Sequence, residues 1–176
     1  MSHINVTTDD QLHQYCKELA PCEWIAFDTE FVSERTYQPQ LCLVQVATAS
    51  ELAIIDALAV EDMTPFWEAI AEPGHETIVH AGRGEVVFCL RAVNRRPAGL
   101  FDVQLAAGLA GIEYPASFRT LLGKVLGKTP GSEETRTDWR RRPLSERQIQ
   151  YALDDVRYLA KIRDALRARL DQLGRL

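Results

Sequence analysis

Hydrophobic and polar positions along the chain change period several times, and each change marks an element. Between Thr7 and Leu19, apolar residues recur at Leu12, Tyr15, Cys16 and Leu19 behind Thr and Asp caps, the spacing of an amphipathic helix. "WIAFDTEF" (24–31), "LCLVQVAT" (41–48) and "LAIIDA" (52–57) are apolar runs of strand length. Only Ala49, Ser50 and Glu51 separate the last two, which predicts a hairpin. A short helix follows over 62–73, with Pro65 tolerated in its first turn. Next come a strand over 77–81, a helix over 84–93, a short strand and helix within 100–111 that Asp102 can cap, and a helix over 117–127. Residues 127–137 are polar, carry Gly127, Pro130 and Gly131, and read as a loop. From Pro143 to Leu173 the pattern predicts one long helix. Ser145 and Gln148 form its capping box, and Ile149, Leu153, Val156, Leu159 (or Ala160), Ile162, Leu166 and Leu170 form its apolar stripe. A hairpin group followed by alternating strands and helices predicts an α/β fold, a mixed sheet with helices on its faces.

Composition narrows the function. The 176 residues suit a single domain over 1–176, and no apolar run approaches the roughly 18 residues of a membrane span. The N-terminus "MSHINVTTDDQ" is polar and shows no secretory signal. Cys16, Cys22, Cys42 and Cys89 form no CxxC pair and sit mostly among apolar neighbours, the pattern of free thiols in a reducing cytoplasm. A net charge of −5 argues against tight, sequence-independent binding of duplex nucleic acid. It leaves room for an enzyme whose acids hold metal and whose bases cluster locally, as at Arg140, Arg141 and Arg142.

Candidate chemistry lies at strand and helix ends. Asp28 and Glu30 stand two apart on an apolar strand, so both side chains leave on one face. Tyr151 and Asp155 stand four apart on the long helix and are neighbours on its surface. Glu85 opens the helix after "IVHAGRG". Carboxylate oxygens are the ligands Mg²⁺ and Mn²⁺ prefer, and a few carboxylates around two ions form the clamp used in phosphodiester cleavage. Each piece alone also has a plainer reading. Acids often close strands, Glu85 suits the positive end of a helix dipole, His80 suits a satisfied structural histidine, and the arginine run suits a solvated face.

Taken in order, the segments "FDTEFV", "VHAGRGEVVF", "LFDVQLAA" and "TRTDWRRRPLSERQIQYALDDVRYL" make the chain resemble ribonuclease D and the wider DEDD family of 3′→5′ exonucleases. The resemblance spans nearly the whole chain. It implies a ribonuclease-H-like mixed sheet flanked by helices, and stepwise release of nucleoside 5′-monophosphates from RNA with a free 3′ end, as in tRNA-like 3′-end processing. It implies that Asp28, Glu30, Glu85 and Asp155 hold two divalent ions, Mg²⁺ or Mn²⁺, and that Tyr151 orients the attacking water. The sister branch has histidine five residues before the last Asp; Gln150 stands there, which places the chain in the tyrosine branch. Phe31, His80, Arg136 and Arg140 are candidates for contact with substrate, and Arg141 is a further candidate for the phosphate backbone. A cytoplasmic monomer is expected.

Two departures qualify the resemblance. The family's second motif presents Asp where this chain has Glu85, one methylene longer. The small helical nucleic-acid-binding domains that usually follow are not among these residues, so the expectation is a catalytic domain by itself. Two other readings stay open: a weakened or inactive RNA-binding module of the same fold, and a DNA-trimming exonuclease.

Overall fold

The computed structural model describes residues 2–33, 38–129 and 137–176. Six strands form one mixed sheet: β1 (Ile4–Val6), β2 (Trp24–Val32), β3 (Gln40–Ala47), β4 (Leu52–Ile55), β5 (Glu76–Val79) and β6 (Leu100–Asp102). Their spatial order is β1-β4-β3-β2-β5-β6. The expected hairpin is present, since β3 pairs antiparallel with β4 and also with β2. β5 and β6 add in parallel beside β2, and β1 adds in parallel beside β4. The expected α/β architecture therefore holds.

Helices α1 (Asp9–Leu19), α2 (Thr64–Ala71) and α3 (Arg83–Val93) cover one face. There Phe27, Val44, Val46, Phe66, Trp67 and Ile70 form a buried cluster. Helices α4 (Val103–Leu109), α5 (Phe118–Leu126), α6 (Glu146–Arg157) and α7 (Leu159–Gln172) cover the other. On that side Ala26 and Ile78 of the sheet meet Val103, Leu121, Val156 and Leu166. Strict alternation along β2, with Ala26 on one face and Phe27 on the other, is what lets a single strand serve both layers.

Two elements differ from the sequence reading. β1 was not expected: it has three residues, only Val6 is buried, and it exists by pairing with the distant β4. The long helix is interrupted at Tyr158 (φ −103°, ψ −6°), which ends α6 and opens α7. The expected stripe is nevertheless buried at Leu153, Val156, Leu159, Ile162, Leu166 and Leu170. α6 lies against the β2–β3–β4 part of the sheet, and α7 lies against α4 and α5. Most of the expected loop, residues 130–136, lies outside the described residues. All four cysteines are free, with Cys42 and Cys89 buried. Among the described residues no helix is long and apolar enough to cross a membrane.

Candidate active site

Strand β2 supplies the first two acids. Its pleat sends Asp28 and Glu30 toward α6 and sends Thr29, with Phe27, toward the opposite layer. Asp28 lies directly across the ladder from Gln45. The register slips between Glu30 and Phe31, and Phe31 leaves the strand 39% exposed. Its ring meets Phe88 edge to face at 5.6 Å and packs over Gly84.

The turn from β5 into α3 supplies the third acid. Ala81 adopts a positive φ of 54°, and Asp102 holds the turn by accepting from the backbone N–H groups of Ala81 (3.0 Å) and Gly82 (2.9 Å). A Cβ at Gly82 would stand 2.3 Å from Val79 Cγ2, so the turn closes only with glycine there. Asp102 also caps α4 through Gln104 N–H and Leu105 N–H. It thus does more than the N-cap role its position predicts. The turn delivers Glu85 into a buried position, 5% exposed, where its carboxylate accepts a 2.6 Å hydrogen bond from Thr29 Oγ1.

Helix α6 supplies the rest. Its capping box fixes the start, and Tyr151 donates to Asp155 one turn later. The segment before it explains the "DWRRRPL" motif. Arg142 forms a two-pronged pair with Asp56 (2.5 and 2.6 Å) and donates to the carbonyls of Trp139 (2.8 Å) and Cys42 (3.1 Å). This tie to β3 and the end of β4 seats Trp139, 3% exposed, with its ring 6.2 Å from that of Tyr151. Sequence reasoning took Arg142 for part of a solvated cluster and missed this role. The "RPL" next to a buried tryptophan was the available signal.

The four acids repel one another in a confined space. Burial, then Glu85, Asp155 and Glu30, hold Asp28 well above the usual carboxylate range. Burial, then Asp155 and Glu85, push Glu30 up to about 8. Burial lifts Asp155 to about 7 against the opposing bond from Tyr151. Glu85 is raised by burial, with Thr29 opposing. Burial and the carboxylates also raise the Tyr151 phenol, so it stays protonated and able to donate.

Charge crowding of this kind, and an all-oxygen donor set, fit a hard divalent cation. The carboxylates are not drawn tightly together: among the described residues no three Asp, Glu, His or Cys side chains stand close enough to cage an ion. One carboxylate oxygen of Glu85 is held by Thr29, the residue between Asp28 and Glu30, while its charge acts on Asp28.

The remaining candidates divide. His80 Nε2 donates to the Ala116 carbonyl (2.9 Å), the ring stands edge-on to Phe118, and burial lowers its pKa; it is tied into the fold. Arg140 is half exposed and pairs with Asp138 (2.8 Å). Arg141 is exposed. Arg136 lies outside the described residues.

The chain is similar to several known proteins. A family model described as 3′-5′ exonuclease matches residues 3–171. Ribonuclease D of Granulibacter bethesdensis is 38% identical over 172 residues, covering 97% of this chain and 44% of the relative. The crystal structure of Escherichia coli RNase D, described as an exoribonuclease involved in structured RNA processing, superposes with a TM-score of 0.92 at 36% identity, covering 100% of this chain and 47% of that one. Brucella melitensis NrnC with bound Mg²⁺ shares the fold, with a TM-score of 0.79 at 21% identity, covering 98% of this chain and 83% of that one. The chain spans under half the length of the ribonuclease D relatives it matches. With the acids on β2, the acid opening α3 and the tyrosine–aspartate pair on α6 all within that match, the chain belongs to the 3′-5′ exonuclease family.

Proposed function

We propose that the chain is the catalytic domain of a divalent-metal-dependent 3′→5′ exoribonuclease. Its substrate is RNA with a free 3′ end, of the tRNA-like kind, and it works in the cytoplasm as a monomer. The observation that carries this reading is the meeting of Asp28, Glu30, Glu85 and Asp155, from three separated segments, as one mutually repelling group beside Tyr151. Asp28, Glu30 and Asp155 hold two cations, Mg²⁺ or Mn²⁺, with Glu85 in support. When bound, such cations supply Lewis acidity that lowers the pKa of water and offsets phosphate charge. Tyr151, kept protonated, donates a hydrogen bond that orients the attacking water, and Trp139 and Arg142 hold its helix in place. No histidine base is needed; His80 is occupied by the Ala116 carbonyl. Phe31 presents an exposed edge suited to stacking on a terminal base, and Arg136, Arg140 and Arg141 are candidates for the phosphates.

The bond from Thr29 to Glu85 favours a second reading, a weakened or silent RNA-binding module, because it diverts one of the four acids. The test is a 5′-labelled single-stranded RNA incubated in Mg²⁺, in Mn²⁺ and in chelator, with the matching DNA in parallel and Asp28→Ala as control. A metal-dependent ladder shortening from the 3′ end, absent in the control, supports the exonuclease. RNA retention without a ladder in either metal supports the binding module, and faster trimming of DNA replaces RNA as the substrate.

A further inference from the structure

Gln45 lies in the middle of β3 and is fully buried. Among the described residues neither its side-chain carbonyl oxygen nor its amide nitrogen has a hydrogen-bond partner. Its strand neighbours on the same face are Leu43 and Ala47, and across β4 it meets Ile54, all apolar. A buried amide without partners costs about 1–3 kcal/mol, and an apolar residue of equal size in its place is nearly neutral or stabilising. Packing alone therefore gives no reason for glutamine at this position.

The residue directly across the ladder on the other side is Asp28. Opposed residues of an antiparallel pair share a face, with Cβ atoms about 4.5–5.5 Å apart. A glutamine amide has two N–H donors, and a carboxylate accepts at several positions, so one carboxylate can ligate a cation and accept an N–H at once. We infer that Gln45 is a positioning residue for Asp28: when a cation binds, its side-chain N–H, unpartnered in the present structure, turns to donate to the Asp28 carboxylate and fixes the orientation in which that carboxylate meets the cation. The inference rests on the reading of Asp28 as a cation ligand. Hydrogen bonds behind a ligand typically set its orientation, and their loss weakens metal affinity about 10–100-fold.

The test titrates Mn²⁺ into the whole chain and into Gln45→Met, with free Mn²⁺ followed by electron paramagnetic resonance. Thermal midpoints are measured in chelator beside it. The expected result is about 10–100-fold weaker Mn²⁺ binding by Gln45→Met, with the midpoint in chelator unchanged or raised. Equal affinity overturns the inference, as does weaker affinity accompanied by a lower midpoint, which is the mark of a merely structural amide. Should Gln45→Met fail to fold, the side-chain amide resonances of Gln45 in the parent chain decide. They move on addition of Mg²⁺ if the amide engages Asp28, and stay fixed if it does not. A parent chain that takes up no Mn²⁺ overturns the cation reading itself, whereas loss confined to the Gln45 result leaves that reading standing.

Discussion

Glu85 has an arm one methylene longer than the aspartate that the resemblance leads one to expect there, and in the structure that arm rests on Thr29. The carboxylate reaches Thr29 Oγ1 at 2.6 Å in a site that is 5% exposed. Two predictions belong here. Glu85→Asp shortens the arm and weakens the hold of Thr29 on the carboxylate. Its initial rate on labelled RNA in Mg²⁺ should exceed that of the parent, and a slower variant would show that the pocket is built around glutamate. Thr29→Val keeps the shape but leaves a buried carboxylate without its donor. Urea unfolding at neutral pH should show a loss of about 1–3 kcal/mol, and a double-mutant cycle with Glu85→Gln should recover most of it. An unchanged midpoint would mean that water replaces the hydroxyl without penalty.

At the scale of elements, the site depends on how α6 is seated. Its apolar stripe would allow it to lie on the sheet in more than one rotation or shift; the segment ahead of it removes that freedom. Arg142 ties residues 139–144 to Asp56 and to the Cys42 carbonyl, and the Trp139 ring stands 6.2 Å from that of Tyr151, tilted by 31°. Asp56→Ala removes the two-pronged partner of a side chain that is only 27% exposed. We expect a stability loss of about 1.5–3 kcal/mol, the range for hydrogen bonds to charged groups. We also expect a lower kcat, because Tyr151 is misplaced. Steady-state kinetics beside urea unfolding measures both; a stability loss with kcat intact would separate the clamp from the chemistry. The break at Tyr158 belongs to the same scale. No proline or glycine announces it, and it follows from α6 and α7 packing against different parts of the molecule.

For the whole molecule, the crowded acids link stability to pH and to cations. Asp28, Glu30 and Asp155 all have folded-state pKa values above their ordinary ones, with Glu30 near 8 and Asp155 near 7. The folded chain therefore holds more protons than the unfolded chain between about pH 4 and pH 8. Their contribution is fully present below the unfolded values and is lost as pH rises through 7 and 8. In chelator, the thermal midpoint should fall between pH 6 and pH 8.5. Mg²⁺ should raise it more at pH 8.5 than at pH 6, and Asp28→Asn should raise the chelator midpoint at pH 8.5 by removing one of the repelling charges. Differential scanning fluorimetry across this grid is sufficient, and a flat response to pH would show that the acids are not crowded.

The sequence by itself determined the elements whose signals are local. Aliphatic runs of strand length, the hairpin between β3 and β4, the cap and stripe of α6, and the acids at Asp28, Glu30, Glu85, Tyr151's neighbour Asp155 and their order along the chain can all be read from spacing, because period and capping are properties of neighbouring residues. What depends on distant pairing was decided only by the tertiary structure. β1 is a strand because β4 offers it an edge. Tyr158 interrupts a continuous helical pattern because two packing surfaces claim its two halves. Arg142 is a clamp and not a surface charge because Asp56, far away in the chain, comes to meet it. Glu85 rests on Thr29, and Gln45 lies unpartnered across from Asp28, because the pleat and register of β2 fix which side chains share a face. Such pairings arise from contacts between segments that only folding brings together, and no local period encodes them.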